Sequence, residues 1–262
     1  MKIEVPVLKL EDSRISQGRD MIVQESTLTV YLNGEELVSL LCTPQYQDEL
    51  AVGFLVLQGL LKHREDLVDV EVDQERGLAR VSVRGDALPP GQAVFKRVIA
   101  SSGARGLSPQ LGPHLGSDRL RDAGARYRAR SLMALMHRFL GSSELYRHTA
   151  GVHSAALATA DEMLVFREDI GRHNAIDKIA GHCFLRGLPT SNKVLLTTGR
   201  VSSEILTKAA RLGVDCLVSR AAPTNVAVAW AEELGLTLVG FARGDRLTVF
   251  AHPERLEGLS GA

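Results

Sequence analysis

The segment from Arg167 to Lys178 gathers seven ionisable residues around one glycine, at a point where a strand is expected to give way to a helix. Gly171 lets the backbone turn and expose its amide groups, and the amino-terminal end of the following helix carries a partial positive charge. Arg172, His173 and Lys178 add hydrogen-bond donors that suit phosphate oxygens. The segment therefore predicts an anion-binding site at the start of a helix.

Three further polar clusters follow the next three apolar runs of the chain. They comprise Thr198, Gly199, Arg200 and Ser202 in the first, Ser219, Arg220 and Thr224 in the second, and Arg243, Gly244, Asp245 and Arg246 in the third. In an open α/β sheet, ligands bind at the carboxyl ends of the parallel strands, because loops and helix amino termini converge there. We therefore expect these loops to share one cleft with Arg172. Guanidinium groups that meet there suit bidentate contacts with a polyphosphate ester.

Two residues near this cleft each have more than one interpretation. Asp177 lies one turn past His173, where it could orient that histidine, accept hydrogen bonds from a base or ribose, or form a plain surface pair along the helix. His153 follows Gly151 at a strand start, either as a structural histidine of the glycine turn or as a ligand contact. Both residues are therefore candidates for the ligand site.

Zinc is not expected at His153. A deaminase-type zinc site needs a His-x-Glu motif and a later Cys-x-x-Cys motif. The residue two positions after His153 is Ala155, and the turn that would supply thiolates carries Gly199, Arg200 and Ser202. The ligand set is too small for zinc, so no metal site is predicted.

The composition is that of a globular protein without a bulk charge. The 262 residues include 31 Lys and Arg against 31 Asp and Glu, and 45% are hydrophobic. This balance gives no reason to expect nucleic acid or anionic lipid as a partner. No apolar run approaches the roughly 18 residues needed to span a bilayer, and the first residues lack the apolar core of a signal peptide. A cytoplasmic protein without a membrane partner is expected.

The three cysteines are spaced too widely for a disulfide framework or a paired metal motif. Cys42 and Cys216 fall in strand-like runs, and Cys183 falls on the apolar face of a helix. We expect all three to be small buried residues.

The first 95 residues have the pattern of a small α+β portion. Residues 27 to 41 alternate as a hairpin around an Asn33-Gly34 turn, a helix then closes near Gly59, and a second hairpin spans residues 68 to 83. From about Ser101 to Arg126 no period survives, and residues 96–127 are assigned to one segment rich in glycine and arginine. This segment is expected to be a long loop that is either functional or disordered.

From residue 128, helices and strands alternate to the end of the chain. A helix near Leu132 leads to paired strands at 154 to 159 and 162 to 167, after which three helices alternate with three strands before a last edge strand. Alternation with continuous apolar strands implies a mixed, mostly parallel sheet that is covered on both faces. We therefore predict an α/β fold with three regions, 1–95, 96–127 and 128–262.

These same residues make the chain resemble the formate dehydrogenase accessory proteins of the FdhD family. The matching segments are Asn33-Gly34, residues 43 to 59, Thr149 to His153, Arg167 to Lys178, Thr198 to Ser202, Ser219 to Thr224 and Leu238 to Phe241. They follow one another over nearly the whole chain, and the segment from Gly171 to Asn174 is specific.

The resemblance implies a cytidine-deaminase-like, three-layer α/β domain without its zinc, usually in a homodimer. It also implies that the cleft binds a guanine nucleotide such as GDP, or the bis-molybdopterin guanine dinucleotide form of the molybdenum cofactor. In the family, that cofactor is contacted by the segment that matches Phe241, Ala242, Arg243, Gly244, Asp245 and Arg246. Sulfur passes from a cysteine desulfurase to the cofactor before the cofactor enters formate dehydrogenase, so both enzymes are implied partners.

One departure from the family concerns this sulfur transfer. The family carries sulfur as a persulfide on a Cys-Gly-x-Cys-Gly loop, whereas the matching stretch here has Ser102 and Arg105 at the two cysteine positions. A serine hydroxyl forms no persulfide and is a far weaker nucleophile near neutral pH. Whether the sulfurtransferase activity of the family extends to this chain is therefore open.

Four hypotheses remain. The first is an accessory protein that binds and delivers the cofactor, with sulfur relay impaired or absent. The second is an active sulfurtransferase that uses Cys42, Cys183 or Cys216 instead. The third is a nucleotide-modifying enzyme on the deaminase-like fold, which stoichiometric zinc would support. The fourth is a purely structural partner of formate dehydrogenase, which predicts no nucleotide binding.

Overall fold

The computed structural model describes residues 1–85, 98–99 and 125–258. Its strands are β1 Lys2–Glu11, β2 Arg14–Val23, β3 Ser26–Leu32, β4 Glu35–Cys42, β5 Leu67–Asp73, β6 Leu78–Val83, β7 Val98–Ile99, β8 Tyr127–Arg128, β9 His153–Ala158, β10 Met163–Asp169, β11 Val194–Thr197, β12 Cys216–Ser219, β13 Thr237–Arg243, β14 Arg246–Ala251 and β15 Leu256–Glu257. Its helices are α1 Gln47–Gln58, α2 Ala129–Gly141, α3 Glu144–Thr149, α4 Arg172–Arg186, α5 Ser203–Leu212 and α6 Asn225–Leu234. In the described part of the chain, no helix has the length and apolar character needed to cross a membrane.

A six-stranded mixed sheet forms the larger half of the structure, in the order β10-β9-β11-β12-β13-β14. β11, β12 and β13 pair in parallel, whereas the pairs β10–β9, β9–β11 and β13–β14 are antiparallel. The predicted α/β alternation is confirmed, but parallel pairing is less extensive than predicted. The reason is that the β9–β10 and β13–β14 hairpins reverse the chain directly, without a crossover helix.

Helices cover both faces of this sheet. Leu157, Leu195 and Leu217 lie in a core with residues of α4, α5 and α6, whereas Leu196 and Val218 pack with residues of α2 on the other face. The central strands are thus enclosed on both sides, which explains their continuous apolar sequences.

A second sheet, in the order β5-β6-β3-β4-β7, packs with α1 to form the smaller half. The hairpins predicted at 27–41 and 68–83 are the pairs β3–β4 and β5–β6, and β3 joins them by pairing in parallel with β6. α1 ends at Gly59, whose φ of 77° lies in the left-handed region that glycine adopts without strain. The strand β7 pairs with β4, so regular structure extends into the segment predicted as a loop.

The two halves meet where α1 crosses α4 at a pair of glycines. A Cβ atom on Gly53 would lie 2.6 Å from the backbone nitrogen of Gly181, and one on Gly181 would lie 2.6 Å from the carbonyl carbon of Glu49. Both distances are shorter than real Cβ atoms tolerate, so the two helices touch through their backbones. Any larger side chain at either position would push the helices apart.

Residues 2–23 form a β-hairpin, which we call the arm. This hairpin was not among the predicted elements. β1 and β2 pair antiparallel along their whole length, around Asp12 and Ser13 with φ values of 47° and 67°. Two successive positive φ values are typical of a type I′ turn, which usually contains Asn-Gly or Asp-Gly. The Asp-Ser sequence lacks that glycine, so the turn gave no recognisable signal.

Candidate functional site

The predicted loops lie at one edge of the six-stranded sheet, where strand ends meet. The strands β10, β11, β12 and β13 run in the same direction and end there, and β9, which is antiparallel to β11, begins there. Thr197 lies opposite Ala155, so His153 and Thr198 come to the same edge. The sheet therefore places the predicted loops beside one another.

Hydrogen bonds connect the successive loops at this edge. The Ser219 hydroxyl donates to the Gly199 carbonyl at 2.7 Å and accepts from the Ala221 N–H at 2.9 Å. The Phe241 N–H then donates to the Ala221 carbonyl at 3.2 Å. The loops after β11, β12 and β13 are thus held together as one unit.

His153, Arg172 and Arg200 form a group that we call the cationic cluster. The stem of Arg172 lies against Gly199, where a Cβ atom would be 2.9 Å from the Arg172 Cβ and Cδ atoms. Burial lowers the pKa of Arg172, and the charge of Arg200 lowers it further. Burial also lowers the pKa of His153, followed by the charges of Arg172, His173 and Arg200. The like charges of Arg172 and Arg200 are therefore close enough to repel each other, and a bound anion would relieve that repulsion.

The His153 ring is held in this cluster by Thr198. The Nδ1 atom of His153 lies 3.2 Å from the Thr198 hydroxyl oxygen, which also accepts the Ser154 N–H at 3.0 Å. Because its pKa is lowered, the imidazole is neutral at pH 7, with one donor and one acceptor nitrogen. His153 can therefore contact a ligand by hydrogen bonding without adding a charge.

Glu204 is a member of the site that the sequence analysis missed. Its carboxylate lies 3.1 Å from Nε2 of His173, and this close contact lowers the pKa of Glu204. Burial lowers the pKa of His173, although Glu204 opposes that effect. Acidic residues are common in the first turn of a helix, so Glu204 carried no distinctive signal. Its role follows only from the packing of α5 beside α4.

A buried network fixes the start of α4, which carries Arg172. One carboxylate oxygen of Asp169 accepts from the Gly171 N–H and from the Asn174 side chain, both at 2.9 Å. The other oxygen accepts from the Thr43 N–H at 3.0 Å and pairs with Lys178 Nζ at 2.7 Å. Since Thr43 directly follows β4, the N-terminal half of the chain positions the candidate site.

The ammonium group of Lys178 is enclosed in this network. The side chains of Lys178 and Asp169 are both 0% exposed. The interpretation of Lys178 as a phosphate donor is therefore wrong, since its ammonium group is already surrounded by oxygens of Thr43, Glu168 and Asp169.

Asp177 also lies inside the protein, at 1% exposure. Lys208 donates to its carboxylate, and burial raises the pKa of the Asp177 carboxyl. Neither a surface pair nor a contact with a base or ribose fits this position, because the carboxylate is enclosed between α4 and α5. The ion pair between Asp177 and Lys208 instead joins α4 to α5.

Three other predicted site residues shape the loops. The hydroxyls of Ser202 and Thr224 cap α5 and α6 by accepting the N–H groups of Ile205 at 3.5 Å and of Ala227 at 3.3 Å. Ser219 is fully buried between the loops that it connects. Their hydroxyls are thus engaged in positioning the backbone around the cationic cluster.

The segment from Phe241 to Arg246 closes the β13–β14 hairpin, two strands away from β11. The exposed residues of this turn are Arg243, Gly244, Asp245 and Arg246, and Arg220 is exposed in the neighbouring loop. Ala242 is buried in the core. Phe241 has a φ of 52°, which is uncommon for an aromatic residue, and its ring centroid lies 6.0 Å from that of Phe250. The turn therefore presents guanidinium groups and one aromatic ring to solvent.

The three cysteines are buried, as predicted. Burial raises the pKa of the Cys42 and Cys183 thiols to about 12, and it also raises the pKa of Cys216. Ser102 and Arg105 lie outside the described residues. Within the described part of the chain, no group of three or more His, Cys, Asp or Glu side chains is arranged to hold a metal.

Comparisons with known proteins give a consistent result. A sequence model described as the FdhD/NarQ family matches residues 23–257. The chain is 39% identical to the sulfur carrier protein FdhD of Geobacillus kaustophilus over 251 residues, which cover 96% of this chain and 95% of that protein. It is 36% identical to the protein of the same name from Bacillus subtilis, over 95% of both chains.

A solved structure also resembles this fold. It is a crystal structure described as that of a formate dehydrogenase accessory protein from Desulfotalea psychrophila. The two chains superpose with a TM-score of 0.78 and 27% sequence identity, covering 97% of this chain and 99% of the other.

Proposed function

The chain belongs to the FdhD/NarQ family, and on that premise we propose that it is an accessory protein in formate dehydrogenase maturation that binds a guanine-nucleotide ligand at the cationic cluster. The ligand that fits best is the bis-molybdopterin guanine dinucleotide cofactor, which the protein carries as cargo, or a GDP-like nucleotide. Formate dehydrogenase is the expected recipient, and a cysteine desulfurase is the expected source of sulfur.

The observation that carries this proposal is the convergence of Arg172, Arg200 and His153 at the sheet edge. Burial and the charge of Arg200 lower the pKa of the Arg172 guanidinium, and the two guanidinium groups lie beside a neutral imidazole and two helix amino termini. Phosphate oxygens are suited to such an arrangement, because they accept bidentate hydrogen bonds and neutralise the like charges. A phosphodiester-linked nucleotide supplies several such oxygens.

We expect Arg172→Ala and Arg200→Ala each to weaken GDP binding by about 1.5 to 3 kcal/mol, the usual worth of a hydrogen bond to a charged group. Arg172 should show the larger effect, because it is half-buried whereas Arg200 is exposed. Isothermal titration calorimetry with GDP measures the change. Arg84→Ala is the matched control, since Arg84 is exposed beside the N-terminal sheet, and it should leave the affinity unchanged. Unaltered affinity in both cluster variants would remove the assignment.

Sulfur relay through a cysteine of this chain is not part of the proposed function. The described thiols are buried, and a pKa of about 12 leaves Cys42 and Cys183 almost entirely protonated at neutral pH. Persulfide transfer needs an accessible thiolate. We therefore favour binding and delivery of the cofactor without covalent carriage of sulfur.

This absence of relay is testable by persulfide labelling. After incubation with a cysteine desulfurase and cysteine, we expect mass spectrometry to find no persulfide on Cys42, Cys183 or Cys216. The positive control is Ser102→Cys combined with Arg105→Cys, which restores the thiol pair that the family resemblance implies and should accept sulfur. A labelled native cysteine would support the alternative of an active sulfurtransferase.

The same proposal includes a fold family and a cellular location. The six-stranded sheet and its helices are a zinc-free relative of the cytidine-deaminase fold, and the protein acts in the cytoplasm. Turnover of free nucleosides, or stoichiometric zinc in the purified protein, would instead support a nucleotide-modifying enzyme.

A further inference from the structure

Glu204 places a negative charge beside the cationic cluster. It is the second residue of α5, a few residues after Arg200 in the loop that leads into this helix. Contact with His173 lowers the pKa of its carboxyl, and the charge of Arg172 lowers it further, although burial opposes both effects. Glu204 is therefore ionised at neutral pH. An ionised carboxylate repels phosphate oxygens, so a site for phosphate alone would bind more tightly without it.

A ligand can reach Glu204 but not the other carboxylate that acts on the cluster. Among the described residues, Asp169 influences the pKa of His153, and Glu204 influences that of Arg172. Asp169 is 0% exposed and is paired with Lys178. The Glu204 side chain is 29% exposed. Of these two carboxylates, Glu204 is thus the one that opens to the cleft and to solvent.

His173 fixes one side of the Glu204 carboxylate. The Nε2 atom of His173 lies 3.1 Å from one carboxylate oxygen, and the His173 side chain is only 7% exposed. Within the described part of the chain, no group donates a hydrogen bond to the other carboxylate oxygen. The carboxylate is therefore held from its buried side and keeps acceptor capacity for a ligand.

We propose that Glu204 selects guanine by accepting hydrogen bonds from N1–H and the exocyclic amino group of the base. This inference rests on the proposed function, and it assigns the residue that distinguishes guanine from other bases. Guanine presents these two donors side by side, so one carboxylate can accept both in charge-assisted hydrogen bonds. Adenine has an unprotonated N1 atom at the same edge, and its lone pair would face the carboxylate.

The arrangement of charges in the cleft matches such a nucleotide. Arg172 interacts both with the positive charge of Arg200 and with the negative charge of Glu204. The side with the two guanidinium groups suits phosphates, which carry negative charge. The side with Glu204 suits the donor edge of guanine, where the hydrogens carry partial positive charge. A free phosphate uses only the first side, whereas a guanine nucleotide uses both.

Isothermal titration calorimetry with matched nucleotides tests this assignment on the wild-type protein. We expect GDP to bind about 100-fold more tightly than ADP and about 10-fold more tightly than inosine diphosphate, which lacks only the exocyclic amino group. 2′-Deoxy-GDP should bind as GDP does. Equal binding of GDP and inosine diphosphate would overturn the inference. A preference for GDP over 2′-deoxy-GDP that disappears in Glu204→Gln would also overturn it, because the carboxylate would then contact the ribose.

The variant Glu204→Gln keeps the size of the side chain and removes its charge. It should reduce the preference for GDP over ADP and over inosine diphosphate to less than about 3-fold. Inorganic diphosphate should bind this variant at least as tightly as the wild type, since the repelling charge is gone. Glu233→Gln is the matched control, because Glu233 is an exposed glutamate of α6, and it should leave every affinity unchanged. If Glu204→Gln is folded by circular dichroism and keeps the wild-type preference, the inference is wrong.

This inference and the proposed nucleotide site fail in different ways. If the wild-type protein binds GDP and ADP equally, the cationic cluster is still a phosphate site, but Glu204 does not select the base. If the protein binds neither GDP nor inorganic diphosphate, the nucleotide site itself is wrong, and the role of Glu204 is rejected with it.

Discussion

Replacing Lys178 with methionine is expected to lower the free energy of unfolding by about 3 to 5 kcal/mol, because it leaves a buried carboxylate without its cation. Methionine retains much of the apolar stem but removes the ammonium group that lies 2.7 Å from Asp169. The same ammonium group also donates to the Thr43 hydroxyl at 2.7 Å. Urea denaturation followed by circular dichroism measures the loss.

Two further variants control this experiment. The double variant Asp169→Asn with Lys178→Met removes both charges, so it should be less destabilised than the sum of the two single variants. Lys62→Met changes an exposed lysine and should alter stability by less than about 0.5 kcal/mol. Strict additivity of the two single effects would contradict a coupled ion pair in the folded protein.

Replacing Gly181 with alanine is expected to cost about 3 kcal/mol, at the upper end of the usual penalty for overpacking. The added methyl group would meet the backbone of Glu49 on α1, and a backbone cannot rotate away as a side chain can. For a protein of this size, the loss corresponds to a melting temperature lower by roughly 6 to 12 °C. Differential scanning calorimetry measures it, and Gly53→Ala should behave in the same way.

Gly141→Ala is the matched control for this prediction. Gly141 is also the residue of a helix, the last of α2, but a Cβ atom there would have no neighbour within 4 Å. Alanine should therefore be neutral or stabilising by up to about 1 kcal/mol. If Gly181→Ala melted at the same temperature as Gly141→Ala, α1 and α4 would not be in backbone contact in solution.

Periodicity and turn chemistry were sufficient to predict most of the fold from the sequence. The Asn33-Gly34 turn predicts a hairpin and the apolar run at 194–197 predicts a buried strand. The structure contains both, as β3–β4 and β11. The arm has no such local cause. Its turn at Asp12 and Ser13 adopts positive φ values without glycine, so only the pairing of the two strands shows that it exists.

The site was predictable only as far as its residues follow strand ends. The order of strands and helices predicts which loops meet at one edge of the sheet, and those loops carry Arg172, Arg200 and His153. Glu204 and Thr43 could not be predicted in this way, since each acts through a partner far away in the sequence, His173 and Asp169 respectively. Asp177 differs in the opposite way. Its charged sequence neighbourhood favours an accessible carboxylate, but the structure pairs it with Lys208 inside the protein.

The contact between Thr43 and Asp169 makes each half of this chain depend on the other for its buried polar contacts. A descendant that lost the N-terminal sheet would leave Asp169 and Lys178 facing water or an empty space, and it would expose the bare glycine surface of α4. Such a truncation could survive only with simultaneous changes at several positions. The two halves are therefore expected to be inherited together, as a single evolutionary unit.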